Sequence, residues 1–138
     1  MKVSIDTNVI LDAVGNREPF AASAQRIVLL TAERKINASL TASTASDIYY
    51  LIRKHYKSAE DAVDEMKKLF AIFDIVSVDK NDCMKAFTTG MIDYEDSLLA
   101  VCASKSKAAY IITRNTKDFI KSPVPAIEPQ DFLDKFFK

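Results

Sequence analysis

The chain has 138 residues, of which 49% are hydrophobic, so we expect one domain, residues 1–138, with a buried core. Nineteen Lys and Arg residues balance nineteen Asp and Glu residues, which gives no net charge. This balance argues against tight non-specific binding to nucleic acid through its phosphates. It leaves room for a local basic rim around an acidic site.

Signals for export, membrane insertion and thiolate metal sites are missing from the sequence. No apolar signal segment precedes the first predicted strand, and no apolar run approaches the ~18 residues that span a membrane. Cys83 and Cys102 form no CxxC motif and no Cys/His pair with metal spacing, because His55 is the only histidine. We therefore expect two reduced thiols in a cytosolic protein.

Strands and helices are predicted to alternate along the chain. The predicted strands are residues 2–5, 37–41, 74–78, 109–113 and 124–127. The predicted helices are residues 7–14, 17–35, 43–55, 59–73, 80–89, 93–105 and 129–137, with Pro19 in the first turn of the second. This alternation predicts a mostly parallel sheet that is covered on both faces. The functional crevice of such a sheet lies at the carboxyl ends of its strands.

The first strand ends directly before Asp6, in the segment Asp6-Thr7-Asn8. Asp6 at this place fits either a helix N-cap or a functional carboxylate. Asp12, six residues later, is predicted to be a solvated helix residue. Asp47 is predicted to lie inside the helix over residues 43–55, where Asp is a poor helix former, and composition alone favours a solvated side chain there.

Two later segments also place acids near element ends. Asp93 fits the N-cap of the helix over residues 93–105. Asp96 is less well explained by capping, because it lies on the helix face that continues into the predicted buried side. The segment Thr113–Phe119 follows the fourth strand, and it fits a loop or a site for a metal beside a phosphate. Its acid is Asp118. Carboxylates that converge in a crevice either take up protons or bind a cation, and oxygen ligands without His or Cys favour Mg²⁺ or Mn²⁺.

The sequence resembles the PIN domain family of metal-dependent ribonucleases, near the toxin ribonucleases of bacterial toxin–antitoxin pairs. The motifs VSIDTNVILDA, REPF, TASTASDIYYLIRK and DYEDSLLAVCASKSKAAYIITRNTKDF stand in family order and spacing. The resemblance implies a three-layer, Rossmann-like α/β/α sandwich with a mostly parallel central sheet. It also implies an endoribonuclease that uses Mg²⁺ or Mn²⁺, with RNA as substrate, an antitoxin protein as partner and a homodimeric assembly.

Carried over residue by residue, the resemblance assigns Asp6, Asp96 and Asp118 to the metal. Asp47 stands where most toxins have Glu, so its shorter side chain is expected to contact the metal through water and to hold or orient the attacking water. Thr7, Asn8 and Asn115 match polar positions that line the site. Substrate phosphate would be contacted by Arg114, Lys117 and the Thr7/Asn8 pair.

Two other functions remain open on the sequence. A receiver-type signalling domain shares the alternating topology and would use Asp79 as its phosphoryl acceptor, although Asp6 lacks the second acid that such domains place after the first strand. A PIN fold without turnover would only bind RNA, and retention of all four acids argues against it. A haloacid-dehalogenase-type phosphatase needs an Asp where Asn8 stands, and the shortage of glycines excludes a P-loop.

Overall fold

The computed structural model describes residues 1–138. The strands are β1 (Lys2–Ile5), β2 (Asn37–Thr41), β3 (Asp74–Val76), β4 (Tyr110–Ile112) and β5 (Ala126–Ile127). The helices are α1 (Thr7–Val14), α2 (Ala21–Ala32), α3 (Ala45–His55), α4 (Ala59–Ile72), α5 (Lys80–Lys85), α6 (Tyr94–Lys105) and α7 (Pro129–Phe136). Short 3₁₀ turns lie at Ala42–Thr44, Ala86–Thr88 and Thr116–Phe119. None of the helices is long and apolar enough to cross a membrane.

The five strands form one sheet in the order β3-β2-β1-β4-β5, and every neighbouring pair is parallel. The chain therefore starts at the centre of the sheet, builds outward to β3 on one side and then crosses to β4 and β5 on the other. Where the direction of building reverses, between β1 and β4, a crevice forms at the carboxyl ends of the strands.

Helices cover both faces of the sheet. Ile112 of β4 belongs to a core of 19 buried residues drawn from the central strands, α1–α4 and α7. Its neighbour Ile111 points to the other face and packs in a second core with Leu99 and Ala103 of α6. The middle of α6, from Ser97 to Ala103, is buried throughout. The mostly parallel sheet covered on both faces, predicted from the alternation of elements, and the α/β/α sandwich implied by the family resemblance are both confirmed.

The helix predicted over residues 17–35 is too long at both ends. It begins only after Phe20, and Pro19 lies in the preceding turn and not in the first helical turn. Past its last residue, Arg34 has a left-handed φ of 59°, which an α-helix cannot continue. The apolar periodicity continues across residues 17–35, so it does not show where this helix begins and ends.

Two other predicted helices each contain a 3₁₀ turn. The segment predicted as a helix over residues 43–55 starts with the turn Ala42–Thr44 before α3, and the segment over residues 80–89 ends in Ala86–Thr88 after α5. The remaining predicted elements agree with the observed ones to within two residues at each end. Cys83 and Cys102 are both free thiols, and burial raises the pKa of Cys102 to about 11.

Candidate active site

Asp6 lies at the carboxyl end of the central strand, next to the end of β4. Ile5 pairs with Ile112 across the two strands, and the Asp6 N–H donates to the Ile112 carbonyl at 3.0 Å. Asp6 occupies the N-cap position of α1, but its side chain makes no capping hydrogen bond. Its carboxylate instead accepts hydrogen bonds from Thr113 Oγ1 at 2.8 Å and from Asn8 Nδ2 at 3.3 Å. The N-cap position predicted as one alternative for Asp6 is therefore confirmed, but its side chain does not cap the helix.

Thr113 is the residue that orients Asp6, and sequence reasoning did not single it out. Its side chain is fully buried, and besides donating to Asp6 it accepts from the Asn115 N–H at 3.1 Å. The Asn8 amide links the same elements, because its Oδ1 accepts from the Arg114 N–H at 3.4 Å. The signal that could have found Thr113 is strand register: if residue 5 pairs with residue 112, residue 6 must face residue 113.

Asp96 faces Asp6 from the start of α6. Asp93 caps this helix as predicted and accepts from the Asp96 N–H at 2.9 Å. The pKa of Asp96 is raised from 3.8 to about 7, first by burial and then by the charges of Asp6, Asp93, Asp118 and Glu95. Burial also raises the pKa of Asp6, against the lowering effect of the Thr113 hydrogen bond. The carboxylates of Asp6, Asp96 and Asp118 therefore share one electrostatic environment, although they come from three separate segments.

Glu95 is a further acid of this group that sequence reasoning missed. The residue is exposed, but partial desolvation of its carboxyl group raises its pKa, and the charges of Asp47, Asp93 and Asp6 raise it further. Asp93, Glu95 and Asp96 lie within four residues at the start of α6, and only the helix phase distinguishes those that face Asp6. We call Asp6, Asp47, Glu95, Asp96 and Asp118 together the acidic edge.

Asp47 joins the acidic edge from α3, but at a different helical position from the predicted one. Because α3 begins at Ala45, Asp47 lies in its first turn and is exposed. The predicted mid-helix position is therefore wrong, whereas the solvated side chain that composition favoured is confirmed. An acid in a first turn also interacts favourably with the helix dipole, so its presence does not by itself require a metal.

The acidic edge fits a divalent cation by its chemistry. Its donors are carboxylate oxygens, which Mg²⁺ and Mn²⁺ prefer, and their mutual repulsion is the condition that a cation relieves. No three His, Cys, Asp or Glu residues of the structure form a ready-made metal cluster. A cation would have to bring the carboxylates closer.

Asp12 is the clearest failure of the sequence interpretation. It was predicted to be solvated, but it is only 1% exposed. Its carboxylate forms a salt bridge with Arg114, in which Oδ2 accepts from Nε at 2.5 Å and Oδ1 accepts from Nη2 at 3.3 Å. The Arg114 guanidinium also lies over the Phe20 ring, 4.3 Å from its centroid. Two nitrogens of Arg114 are thus engaged inside the protein, whereas Nη1 makes no hydrogen bond there.

The other predicted substrate contacts lie around the same edge. Lys117 and Asn115 are exposed on the segment after β4, close in sequence to Asp118. Thr7 begins α1, and its Oγ1 is buried without a hydrogen-bond partner. These positions agree with a phosphate-contacting role, which remains a prediction.

The sequence matches the family model of the PIN domain over residues 2–117, which is most of the chain. The chain belongs to the PIN domain family. Among curated proteins, no sequence is similar enough to count as a relative.

Solved structures share the fold of this PIN domain at low identity. A chain of VapBC2 from Rickettsia felis, solved with a promoter DNA fragment, has a TM-score of 0.68 and 15% identity and covers 93% of this chain and 98% of its own. A chain of a toxin–antitoxin complex from Klebsiella pneumoniae has a TM-score of 0.69 and 17% identity, and it covers 92% of this chain and 97% of its own. A chain of DNA-bound VapBC from Salmonella typhimurium has a TM-score of 0.70 and 14% identity, and it covers 94% of this chain and 98% of its own. At such identities the likeness establishes the common fold alone.

The salt bridge between Arg114 and Asp12 predicts a large stability effect. Arg114→Gln leaves a buried carboxylate without its cation, and we expect the PIN domain to lose about 3–5 kcal/mol of unfolding free energy. Lys117→Gln removes a neighbouring exposed cation and should change stability by no more than about 0.5 kcal/mol. Urea denaturation of both variants measures the difference. Equal stability of the two would show that the ion pair contributes nothing.

The raised pKa of Asp96 predicts how stability without metal depends on pH. Between pH 3.8 and about 7 the folded protein binds a proton at Asp96 that the unfolded chain releases, so stability falls as pH rises through this window. Asp96→Asn should therefore melt above wild type at pH 8 and show a smaller fall between pH 5 and pH 8.

Thermal melting in EDTA measures this effect. Glu60→Gln, which removes an exposed acid from the first turn of α4, controls for the loss of one charge and should keep the wild-type pH dependence. If Asp96→Asn melted below wild type at pH 8, Asp96 would be a structural residue of α6 and not a repelled member of the acidic edge.

Proposed function

We propose that this PIN domain is an endoribonuclease that hydrolyses RNA phosphodiester bonds with Mg²⁺ or Mn²⁺. The observation that carries the proposal is the convergence of acids at the carboxyl end of β1, where Thr113 holds Asp6 and the first turn of α6 brings in Asp96. The pKa of Asp96, which burial and the charges of Asp6 and Asp118 raise, supports this arrangement. Perturbed carboxylates in a crevice of a parallel sheet are typical of catalytic sites. Membership of the PIN family supports nuclease chemistry at this place.

Asp6, Asp96 and Asp118 would hold the cation. When bound there, Mg²⁺ or Mn²⁺ would lower the pKa of a water molecule and neutralise charge on the scissile phosphate. Thr113 fixes the direction of the Asp6 carboxylate through its 2.8 Å hydrogen bond. Asp96, whose pKa lies near 7, gives up its proton at little cost when positive charge enters the edge.

The charge of Asp47 contributes to the raised pKa of Glu95, so the two carboxyl groups lie near each other in the acidic edge. We assign to Asp47 the orientation of the attacking water, and we add Glu95 as a second carboxylate that can accept its proton. A carboxylate with a raised pKa is a better base near neutral pH than an ordinary one.

Contacts to the substrate phosphate would come from groups that ring the edge. Lys117 supplies an exposed ammonium group. Arg114 supplies Nη1, because its Nε and Nη2 are bound to Asp12. The Asn8 and Asn115 side chains supply neutral polar groups. Thr7 Oγ1 is buried and has no partner inside the protein, so it would have to become exposed to contact the phosphate. Together they form the local basic and polar rim that the zero net charge allows.

The receiver-type alternative is not supported by the topology. Asp79 follows β3, which is an edge strand of the sheet, two strands away from β1. Its carboxylate accepts from the Asp82 N–H at 3.0 Å in a capping box at the start of α5. Asp79 is therefore a helix cap that lies away from Asp6.

We further propose that the protein is the toxin of a toxin–antitoxin pair and acts as a homodimer. The solved structures that share its fold are described as VapBC and toxin–antitoxin complexes, which supports an antitoxin partner. The homodimer is carried over from the family resemblance.

The metal-dependent mechanism predicts that RNA is cut only with Mg²⁺ or Mn²⁺. Asp96→Asn should lower the cleavage rate by at least about 100-fold, more than the loss of a residue that only supports a metal ligand. Asp79→Asn, in which the cap is preserved, should cut at the wild-type rate. Gel analysis of labelled RNA with Mn²⁺ and with excess EDTA measures all three proteins.

Undiminished cleavage in EDTA would remove the metal from the mechanism. Binding of RNA without any cleavage in Mn²⁺ would show a PIN domain that has lost turnover. Transfer of phosphate from acetyl phosphate to wild type but not to Asp79→Asn would restore the receiver alternative.

A further inference from the structure

A cavity of about 310 Å³ opens beside the acidic edge, between the turn that precedes α2 and the start of α7. Phe20, Arg114, Asn115 and Glu128 contribute to its walls. Its volume lies at the lower end of the roughly 300–1,000 Å³ that small-ligand pockets occupy. The cavity therefore suits one flat group and is too small for a folded segment of another protein.

One wall of the cavity is a rigid, flat stack of an arginine and an aromatic ring. The Arg114 guanidinium lies 4.3 Å from the Phe20 ring centroid, and the buried Asp12 holds it in place. The Phe20 side chain remains 40% exposed. Unpaired RNA bases stack on aromatic rings and on arginine planes, so this wall fits a nucleobase.

The polar groups of the cavity indicate which base would fit. Glu128 occupies the N-cap position of α7, but its carboxylate makes no capping hydrogen bond and is free to accept from a ligand. A carboxylate accepts through two oxygens and donates nothing. Guanine presents two adjacent donors, N1–H and the 2-amino group, on its Watson–Crick edge, whereas the other RNA bases present only one donor group there. The carboxylate of Glu128 matches guanine.

Short contacts connect the cavity to the acidic edge. The Asn115 carbonyl accepts from the Asp118 N–H at 2.9 Å, and Asn8 bridges the Arg114 N–H and the Asp6 carboxylate. A base in the cavity would thus bring its neighbouring phosphate to the carboxylates. Since the chain has no net positive charge, phosphate attraction alone supplies little affinity, and a base-binding cavity would compensate.

We propose that this cavity binds a guanine base of the RNA substrate and thereby selects the phosphodiester bond next to that guanosine. The inference deepens the proposed ribonuclease function, and its cleavage readout rests on that function. Binding of RNA in EDTA does not require catalysis, so the two proposals can fail separately.

The binding test uses short uridine oligonucleotides that contain a single guanosine or a single inosine, which lacks the 2-amino group. In EDTA, wild type should bind the guanosine oligonucleotide roughly tenfold more tightly, the discrimination expected of a two-point contact to a base edge. Glu128→Ala should bind both oligonucleotides equally. Glu33→Ala, at an exposed glutamate outside the cavity, should keep the tenfold difference.

Phe20→Leu separates stacking from edge recognition, because it removes the aromatic face and keeps apolar bulk. It should weaken binding of both oligonucleotides by a similar factor and preserve the preference for guanosine. A loss of the preference in Phe20→Leu with retention in Glu128→Ala would overturn the assignment of the two walls.

The cleavage test maps cut sites in a random RNA pool with Mn²⁺. Wild type should show guanosine enriched at one fixed position relative to the cut, and Glu128→Ala should lose that enrichment. Cleavage without enrichment, together with equal affinity for the two oligonucleotides, would overturn the inference and leave the ribonuclease intact. A tenfold preference without any cleavage would support the guanine cavity and contradict the proposed ribonuclease.

Discussion

The pairing of β1 with β4 is the constraint on which the rest of the site depends. It places Asp6 at the carboxyl end of the central strand and sets Thr113 beside it, at 2.8 Å. Ile111 and Ile112 of β4 pack in different cores on the two faces of the sheet, so a shift of register by one residue would exchange side chains between the cores and disturb the packing of both. The direction of the Asp6 carboxylate is therefore determined by the packing of the sheet and not by a flexible loop.

The other acids are held by residues that lie next to them in sequence and are buried. Asp96 directly precedes Ser97, which is fully buried and whose hydroxyl donates to the Ala86 carbonyl at 2.5 Å. Asp47 directly precedes Ile48, which is fully buried in the main core. Hydrophobic packing thus keeps like charges near one another, and the pKa of Asp96 is raised first by its burial and then by this repulsion. A divalent cation would relieve this repulsion, and catalysis would use the same groups.

Much of this arrangement could be predicted from the sequence, because it depends on local patterns. Asp6 follows a short apolar strand, Asp118 follows another, and parallel strands bring their carboxyl ends to one edge. The predictions that failed depend on distant partners or on exact helix ends. Asp12 is buried because of Arg114, 102 residues away, and no local signal shows that pairing. Glu95 and Asp47 required the phase and the first residue of their helices, which apolar periodicity does not determine to one residue.

Diffraction from crystals that contain Mn²⁺, recorded near the manganese absorption edge, tests the central claim most directly. We predict an anomalous peak at the acidic edge, with carboxylate oxygens of Asp6, Asp96 and Asp118 at about 2.1 Å, and with these side chains closer together than in the metal-free protein. The absence of such a peak at saturating Mn²⁺, or a peak whose ligands exclude Asp6 and Asp96, would contradict the proposed metal site.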